Sequence, residues 1–335
     1  MATPKVVIAL DSFKEPESFL DSGFFCALGF VLIGMKLTTL LSLFHILELH
    51  SAKRNTYRKM MKQVSTQHLM LPDGAELHYA EIGQASASRP SVLMLHSLFF
   101  NGGMFLPVIQ ALQNEWHIIC PDHRNQGLST AGQKPATMHQ LAQDYAFLAQ
   151  ALRISSMHVV GSSMGGYVAQ ELMQCAPQLV RSAVLSCCTS MAEQQKERFD
   201  QLEAQLRRDG GAPYVSALLQ TMFGDAFLAS TDLAAQAQQE QWRDHFTHLP
   251  PSIANSVNGV FARPDYQFLL AGNTTPHLLI SGALDRAKKP ADMEHMHSLL
   301  PDSTHTVFEQ SGHTAPVEVP EAFALQIENF WNQVN

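Results

Sequence analysis

The sequence predicts an α/β fold in which a mostly parallel central sheet is flanked by helices and carries a helical cap insertion. Two observations predict it. Short apolar runs alternate with amphipathic stretches, as they do when parallel strands are covered by helices on both faces. This rhythm stops for one long interval rich in Gln, Ala and Glu, from 189 to 261, and then resumes. The interval therefore predicts a helical cap over the sheet.

The first expected element is a hairpin over 69–82, because the residues alternate around the turn signal Asp73-Gly74. Apolar runs predict the other strands, and amphipathic stretches between them predict helices. The strands are expected at 91–96, 117–120, 157–161, 183–186 and 277–281, and the helices near 104–113, 137–153 and 164–175. The α/β core is thus expected to comprise residues 60–188 and 262–335.

Charge and cysteine content exclude several classes of protein. A formal net charge of −8 provides no globally basic surface for gripping nucleic acid. The sixteen histidines show no HExxH spacing, and the five cysteines form no CxxC pair. These cysteines are Cys26, Cys120, Cys175, Cys187 and Cys188. Neither a disulfide framework nor a metal site is expected.

Residues 158–166, HVVGSSMGG, place two adjacent serines among glycines at the junction of an expected strand and helix. The frame G-x-S-x-G fits Ser163 and fails for Ser162, whose flanking positions are Val160 and Met164. A strand that turns sharply into a helix exposes the serine at its apex, and the flanking positions come too close for side chains. Ser163 is the candidate nucleophile. The alternative is a glycine-rich turn without chemistry.

A serine hydroxyl needs a base that a third group orients, and the C-terminal part of the chain offers both. Asp285 follows the end of an expected strand, and His313 lies in a loop between a strand and the final helix. Together with Ser163 they form a candidate Ser–His–Asp triad. Other acids in this region lie in helical or strand contexts: Asp292, Asp302 and Glu309.

An acyl-transfer site also needs N–H donors for the oxyanion. The backbone N–H groups of Met164, directly after the nucleophile, and of Leu98, in the loop after the 91–96 strand, are the candidates. Five large apolar residues are candidates for an acyl pocket, with ordinary packing as the alternative: Phe99, Phe100, Met104, Trp242 and Phe246.

These motifs together resemble the α/β-hydrolase fold family over roughly residues 63–335. His96-Ser97 stands where the family usually has His-Gly, and PDHRNQGLS (121–129) is similar to its D-x-R-x-x-G-x-S segment. The resemblance is strongest to small carboxylesterases and 3-oxoadipate enol-lactonases. It implies no metal and no organic cofactor. It also implies that Asp122 and Arg124 brace their loop, as an ion pair that ties down a turn.

The motifs predict a serine hydrolase that cleaves a small carboxylic ester or lactone through an acyl-enzyme on Ser163. A C–C bond hydrolase with the same triad is one alternative, because fold alone does not select the reaction. A ligand-binding protein on a hydrolase scaffold is another. The expected partner is a small molecule, with no nucleic acid.

Residues 1–59 form an N-terminal extension unlike the rest. Between 23 and 47 the only formal charge is on Lys36, and roughly twenty apolar residues suffice to span a bilayer. The segment is a possible membrane anchor, and the basic residues after it would leave the catalytic part in the cytoplasm. The opening MATPKVVIALDSFKEPES resembles the start of glycerate kinases, so a spurious start upstream of Met60 is the alternative.

Overall fold

The computed structural model describes residues 64–86, 89–112 and 116–334. The apolar segment 23–47, and with it both interpretations of the extension, lies outside these residues. Among the helices that are described, none combines the length and the apolar character needed to cross a bilayer.

An eight-stranded sheet organises the fold, in the order β1-β2-β4-β3-β5-β6-β7-β8. The strands are β1 (Val64–Met70), β2 (Glu76–Ile82), β3 (Ser91–Leu95), β4 (His117–Pro121), β5 (Met157–Ser162), β6 (Val180–Ser186), β7 (His277–Gly282) and β8 (Ser303–Phe308). The hairpin β1–β2 is antiparallel and joins β4 antiparallel, whereas all pairs from β4 to β8 are parallel. The predicted α/β class with its mostly parallel sheet is confirmed.

Helices cover the sheet in the predicted alternation. They are α1 (Leu106–Ala111), α2 (Met138–Ala151), α3 (Met164–Cys175), α4 (Lys196–Asp209), α5 (Val215–Met222), α6 (Asp225–Leu228), α7 (Leu233–Thr247), α8 (Ile253–Phe261), α9 (Gln267–Leu270), α10 (Pro290–Leu299), α11 (Ala315–Glu318) and α12 (Pro320–Val334). Six of them, α4 to α9, separate β6 from β7. The interval that the sequence marks as helical at 189–261 therefore extends nine residues further, to Leu270.

The strands at the centre of the sheet explain the continuous apolar runs. Every residue of β3, β4, β5 and β7 is buried, because helices pack on both faces. The carboxyl ends of parallel strands meet at one edge of a sheet, where open α/β sheets bind their ligands. Residues that follow β3, β5, β7 and β8 are thereby brought together, and these segments contain all the candidate catalytic residues.

Candidate active site

The turn after β5 holds Ser163 in a strained conformation. Its φ is 50° and its ψ is −107°, and α3 begins at the next residue. A Cβ on Gly161 would lie 2.4 Å from the carbonyl oxygen of Gly165, and one on Gly165 would lie 2.0 Å from that of Leu95. Both positions therefore require glycine because of close backbone approach. Ser163 is left partly exposed at the apex.

The structure brings Ser163, His313 and Asp285 together across 150 residues of sequence. His313 Nε2 lies 2.8 Å from Ser163 Oγ, and His313 Nδ1 lies 2.8 Å from Asp285 Oδ2. A carboxylate accepts only, so Nδ1 carries the proton and donates it to Asp285. Nε2 is then the acceptor that faces the serine hydroxyl. This is the arrangement that a serine nucleophile requires.

The neighbouring Ser162 has a different environment. It is the last residue of β5 and fully buried, and its hydroxyl accepts a hydrogen bond from Ser97 Oγ at 3.0 Å. Ser97, the residue in place of the usual glycine, thus ties the loop after β3 to the end of β5, next to Ser163. Among the described contacts, His313 touches Ser163 and not Ser162.

The other acids lie elsewhere. Asp292 Oδ2 accepts the N–H of Lys289 at the start of α10, while Asp302 and Glu309 are exposed. Asp285 is 2% exposed, and its second oxygen, Oδ1, accepts the N–H groups of Ala287 (2.7 Å) and Lys288 (2.9 Å). These two bonds fix the carboxylate so that Oδ2 points at the histidine.

The loop that contains Leu98 lies against the turn that holds Ser163. Gly165 donates its N–H to the carbonyl of His96 at 3.1 Å. Within the described part of the chain, the N–H groups of Leu98 and Met164 are engaged by no backbone or side-chain acceptor. Two unengaged donors on adjoining segments next to Ser163 are compatible with an oxyanion hole, although their role stays a prediction.

Two buried histidines hold the carbonyls of this loop. His96 Nε2 accepts the backbone N–H of His123, so His96 Nδ1 donates to the carbonyl of Ser97 at 2.8 Å. His123 Nε2 donates to the carbonyl of His96 at 2.7 Å, which leaves its Nδ1 to accept from Tyr145. Both rings are therefore neutral. Burial lowers the pKa of His96 to about 3 and that of His123 well below its ordinary value.

Two further side chains hold Phe99, whose φ of 74° is unusual for a bulky residue. Gln126 Oε1 accepts its N–H at 2.9 Å, and His245 Nε2, from α7, donates to its carbonyl at 3.0 Å. The loop is thus bound by the core on one side and by the helical insertion on the other. Motif analysis missed both residues, although Gln126 lies inside the 121–129 segment.

The expected ion pair between Asp122 and Arg124 is wrong. Arg124 pairs instead with Asp144 at 2.8 Å and with Asp73 of the hairpin turn. The Arg124 guanidinium holds the pKa of the Asp73 carboxyl well below its usual range. Asp122 accepts the backbone N–H groups of Gly102 and Leu128, both at 2.8 Å. Both residues do brace the loop, but through separate sets of partners.

The residues predicted to line a pocket form a packed aromatic cluster. Phe100 contacts Trp242 (ring centroids 4.6 Å apart) and Phe246 (5.2 Å, edge to face). Both of these residues belong to α7, and all three rings are buried, as are Phe99 and Met104. The insertion therefore packs through aromatic rings on the loop after β3. A role in binding substrate stays a prediction.

Glu318 of α11 is a buried carboxylate that the sequence did not mark as a site residue. Its Oε2 accepts the N–H groups of Gly312 and Gly224, both at 2.8 Å, and its Oε1 accepts that of Thr314 at 2.9 Å. Gly312 and Thr314 flank His313, and Gly224 lies in the insertion. Burial raises the pKa of the Glu318 carboxyl, and these N–H donors oppose the shift.

Among the residues that the structure describes, one group of side chains could offer ligand atoms to a metal. Atoms of Cys187, Asp285 and His313 lie within 4.8 Å of one another. The histidine and the carboxylate are already hydrogen-bonded to each other. Burial holds the pKa of the Cys187 thiol well above its ordinary value, which disfavours the thiolate that a metal needs. The donor set as it stands fits a triad better than a metal centre.

Comparison with known proteins agrees with this geometry. The sequence pattern described as alpha/beta hydrolase fold matches residues 90–320, more than half of the chain. The chain belongs to the α/β-hydrolase fold family. The family that the motifs indicated is thereby confirmed.

Relatives of this α/β hydrolase include 3-oxoadipate enol-lactonase 2 of Acinetobacter baylyi, 27% identical over 260 residues that cover 77% of this chain and 94% of that protein. A thermophilic esterase of Thermogutta terrifontis has the same fold, with a TM-score of 0.74 at 24% identity over 81% of this chain and 99% of that one. The enol-lactonase of Burkholderia xenovorans superimposes with a TM-score of 0.73 at 23% identity, over 79% and 100%.

Proposed function

We propose that this α/β hydrolase is a serine hydrolase that cleaves a small carboxylic ester or lactone through an acyl-enzyme on Ser163. The observation that carries the proposal is His313, which bridges Ser163 Oγ and Asp285 Oδ2 with two contacts of 2.8 Å. The enol-lactonase and esterase among its relatives support the choice of substrate class.

In the proposed reaction, His313 Nε2 takes the proton of Ser163 Oγ while the oxygen attacks the carbonyl carbon. The carbonyl oxygen becomes negatively charged and is held by the N–H groups of Leu98 and Met164. His313 then returns the proton to the leaving alkoxide, and the acyl group stays on Ser163. A water molecule, deprotonated by His313, releases the acid. Asp285 keeps the proton on Nδ1 and stabilises the imidazolium cation.

A panel of substrates tests this proposal. Nitrophenyl esters of two to eight carbons and simple lactones should be hydrolysed, and a fluorophosphonate probe should label Ser163 stoichiometrically. Hydrolysis of vinylogous diketones without ester or lactone turnover would instead indicate a C–C bond hydrolase. A folded protein that neither turns over any of these substrates nor reacts with the probe would be a binding protein on this scaffold.

Residues 189–261 are proposed to act as a cap that limits the acyl group, on a core of 60–188 and 262–335. Trp242→Leu should shift the preferred nitrophenyl ester towards longer chains, because it removes ring volume beside Phe100 near the site. The measurement is kcat/KM for each chain length, with the melting temperature recorded in parallel. An equal loss on every ester, matched by a lower melting temperature, would assign Trp242 to core packing alone.

Glu318 is proposed as a positioning residue for His313. In Glu318→Gln, one carboxylate oxygen becomes an NH₂ group that faces backbone N–H donors, so the loop around His313 shifts. A displacement of a catalytic group by about 1 Å can lower the reaction rate by about 10²-fold. We therefore expect kcat to fall tenfold or more while KM changes little. The matched control is Glu321→Gln, an exposed residue of α12. An unchanged kcat with a lower melting temperature would leave Glu318 a purely structural role.

A further inference from the structure

A cavity lies where the parallel strands begin, at the edge of the sheet opposite the triad. Its volume is about 360 Å³, and its lining includes Arg89, Arg153 and Arg181 and the hydroxyls of Ser155 and Ser156. None of the described residues that line it is acidic. Small-molecule sites in proteins have volumes of about 300 to 1,000 Å³. The cavity is therefore large enough for a small ligand.

Two of the arginines that line this cavity have no acidic partner within the described part of the chain. Arg153 and Arg181 are exposed and make no ion pair or hydrogen bond through their side chains within the described part of the chain. Acidic residues outnumber basic residues in the chain, 30 to 22, yet none pairs with Arg153 or Arg181 in the described part. A local concentration of positive charge attracts anions, and it therefore favours anion binding at this cavity.

The backbone of Arg153 supplies an independent observation. Its φ is 58°, and it follows the end of α2, where Ile154 N–H bonds to the carbonyl of Ala149 at 2.8 Å. This helix ending normally uses glycine, because the left-handed conformation is unfavourable for a residue with a Cβ. Arg153 adopts this ending although it carries a long side chain, and it belongs to the cavity lining.

We propose that this cavity binds a small polyanion whose charges are carried by carboxylate or phosphate oxygens. Guanidinium groups bind such oxygens through paired N–H donors, and the two serine hydroxyls add further donors. The site is separate from the triad. Met157 lines the cavity at the start of β5 and Ser163 follows its end, so the two lie roughly 20 Å apart at about 3.3 Å per residue.

The test uses the full-length chain with citrate and inorganic phosphate as probes, each compared with sodium chloride at equal ionic strength. Isothermal titration calorimetry should give one site for the preferred probe. At 100 times its Kd, the melting temperature should rise by about 4 °C. Binding of phosphate alone would assign a phosphate-bearing ligand, and binding of citrate alone a polycarboxylate; either outcome supports the site.

Two variants make the test specific. Arg153→Gly removes the guanidinium and relieves the backbone strain, so it should bind at least tenfold more weakly while its melting temperature in chloride is equal or higher. Arg153→Gly combined with Arg181→Ala should abolish binding, and Arg198→Ala, an exposed arginine of α4, should leave it intact. An equal melting-temperature response in the wild type and the double variant would overturn the proposal. So would the absence of binding heat above the chloride control with both probes.

Discussion

Ser163→Ala is expected to lose on the order of 10⁶ in kcat, the magnitude measured for the nucleophile of another serine hydrolase. The substitution removes the Oγ atom that lies 2.8 Å from His313 Nε2 and leaves the rest of the site in place. Some turnover above the uncatalysed rate should remain from the oxyanion donors and substrate binding. The measurement is kcat on the best nitrophenyl ester, with circular dichroism to establish that the fold is retained.

Ser162→Ala is the matched control, one residue away. Its hydroxyl meets Ser97 Oγ in the interior rather than His313, so its loss should cost stability more than activity. If Ser162→Ala were inactive and Ser163→Ala retained turnover, the nucleophile would be assigned to the wrong serine. A fluorophosphonate probe should label Ser162→Ala and not Ser163→Ala, which identifies the nucleophile without a substrate.

Asp285→Asn is expected to lower kcat by about 10⁴, the effect of the equivalent change in another triad. Its oxygen at the Oδ1 position can keep the N–H bonds from Ala287 and Lys288. The new NH₂ group then faces His313 Nδ1 and turns it into an acceptor. The ring proton moves to Nε2, and Nε2 can then no longer accept the proton of Ser163.

The control for this prediction is Asp292→Asn, which alters only the start of α10 and should be nearly fully active. Steady-state kcat and KM on one ester suffice for both variants. Near-normal activity of Asp285→Asn, with a large loss at Asp292 or Glu309, would reassign the acid. A rise in KM with an unchanged kcat would place Asp285 in substrate binding.

Much of the fold was predictable because buried parallel strands leave a local signal. The runs at β3, β5 and β7 are apolar throughout, and the helices between them are amphipathic. The strand before His313, β8, was expected without defined bounds, since its sequence, STHTVF, is mostly polar and lies at the edge of the sheet. Its exposure leaves no continuous apolar run. An edge strand of this kind is identified by its pairing with a neighbouring strand, and local sequence does not reveal that pairing.

The juxtaposition of Ser163, Asp285 and His313 was predictable because each follows a strand of a parallel sheet. The partners of supporting side chains were not. Arg124 reaches Asp73, 51 positions earlier in the hairpin turn, and His245 reaches the loop after β3 from the insertion. Such contacts depend on how two separate segments approach in space. Periodicity and motif spacing carry no information on that approach.

The neutral pair His96 and His123 contributes to how the stability of this protein responds to acid. In the unfolded chain both rings take up a proton near pH 6.5, whereas in the folded chain they resist it down to about pH 3 for His96. Above pH 6.5 both rings are neutral in the folded and in the unfolded chain, so protonation takes nothing from the free energy of unfolding. Below it, each ring removes about 1.4 kcal/mol of unfolding free energy per pH unit. Acid therefore destabilises the scaffold beneath Ser163, and acidification is expected to unfold the site.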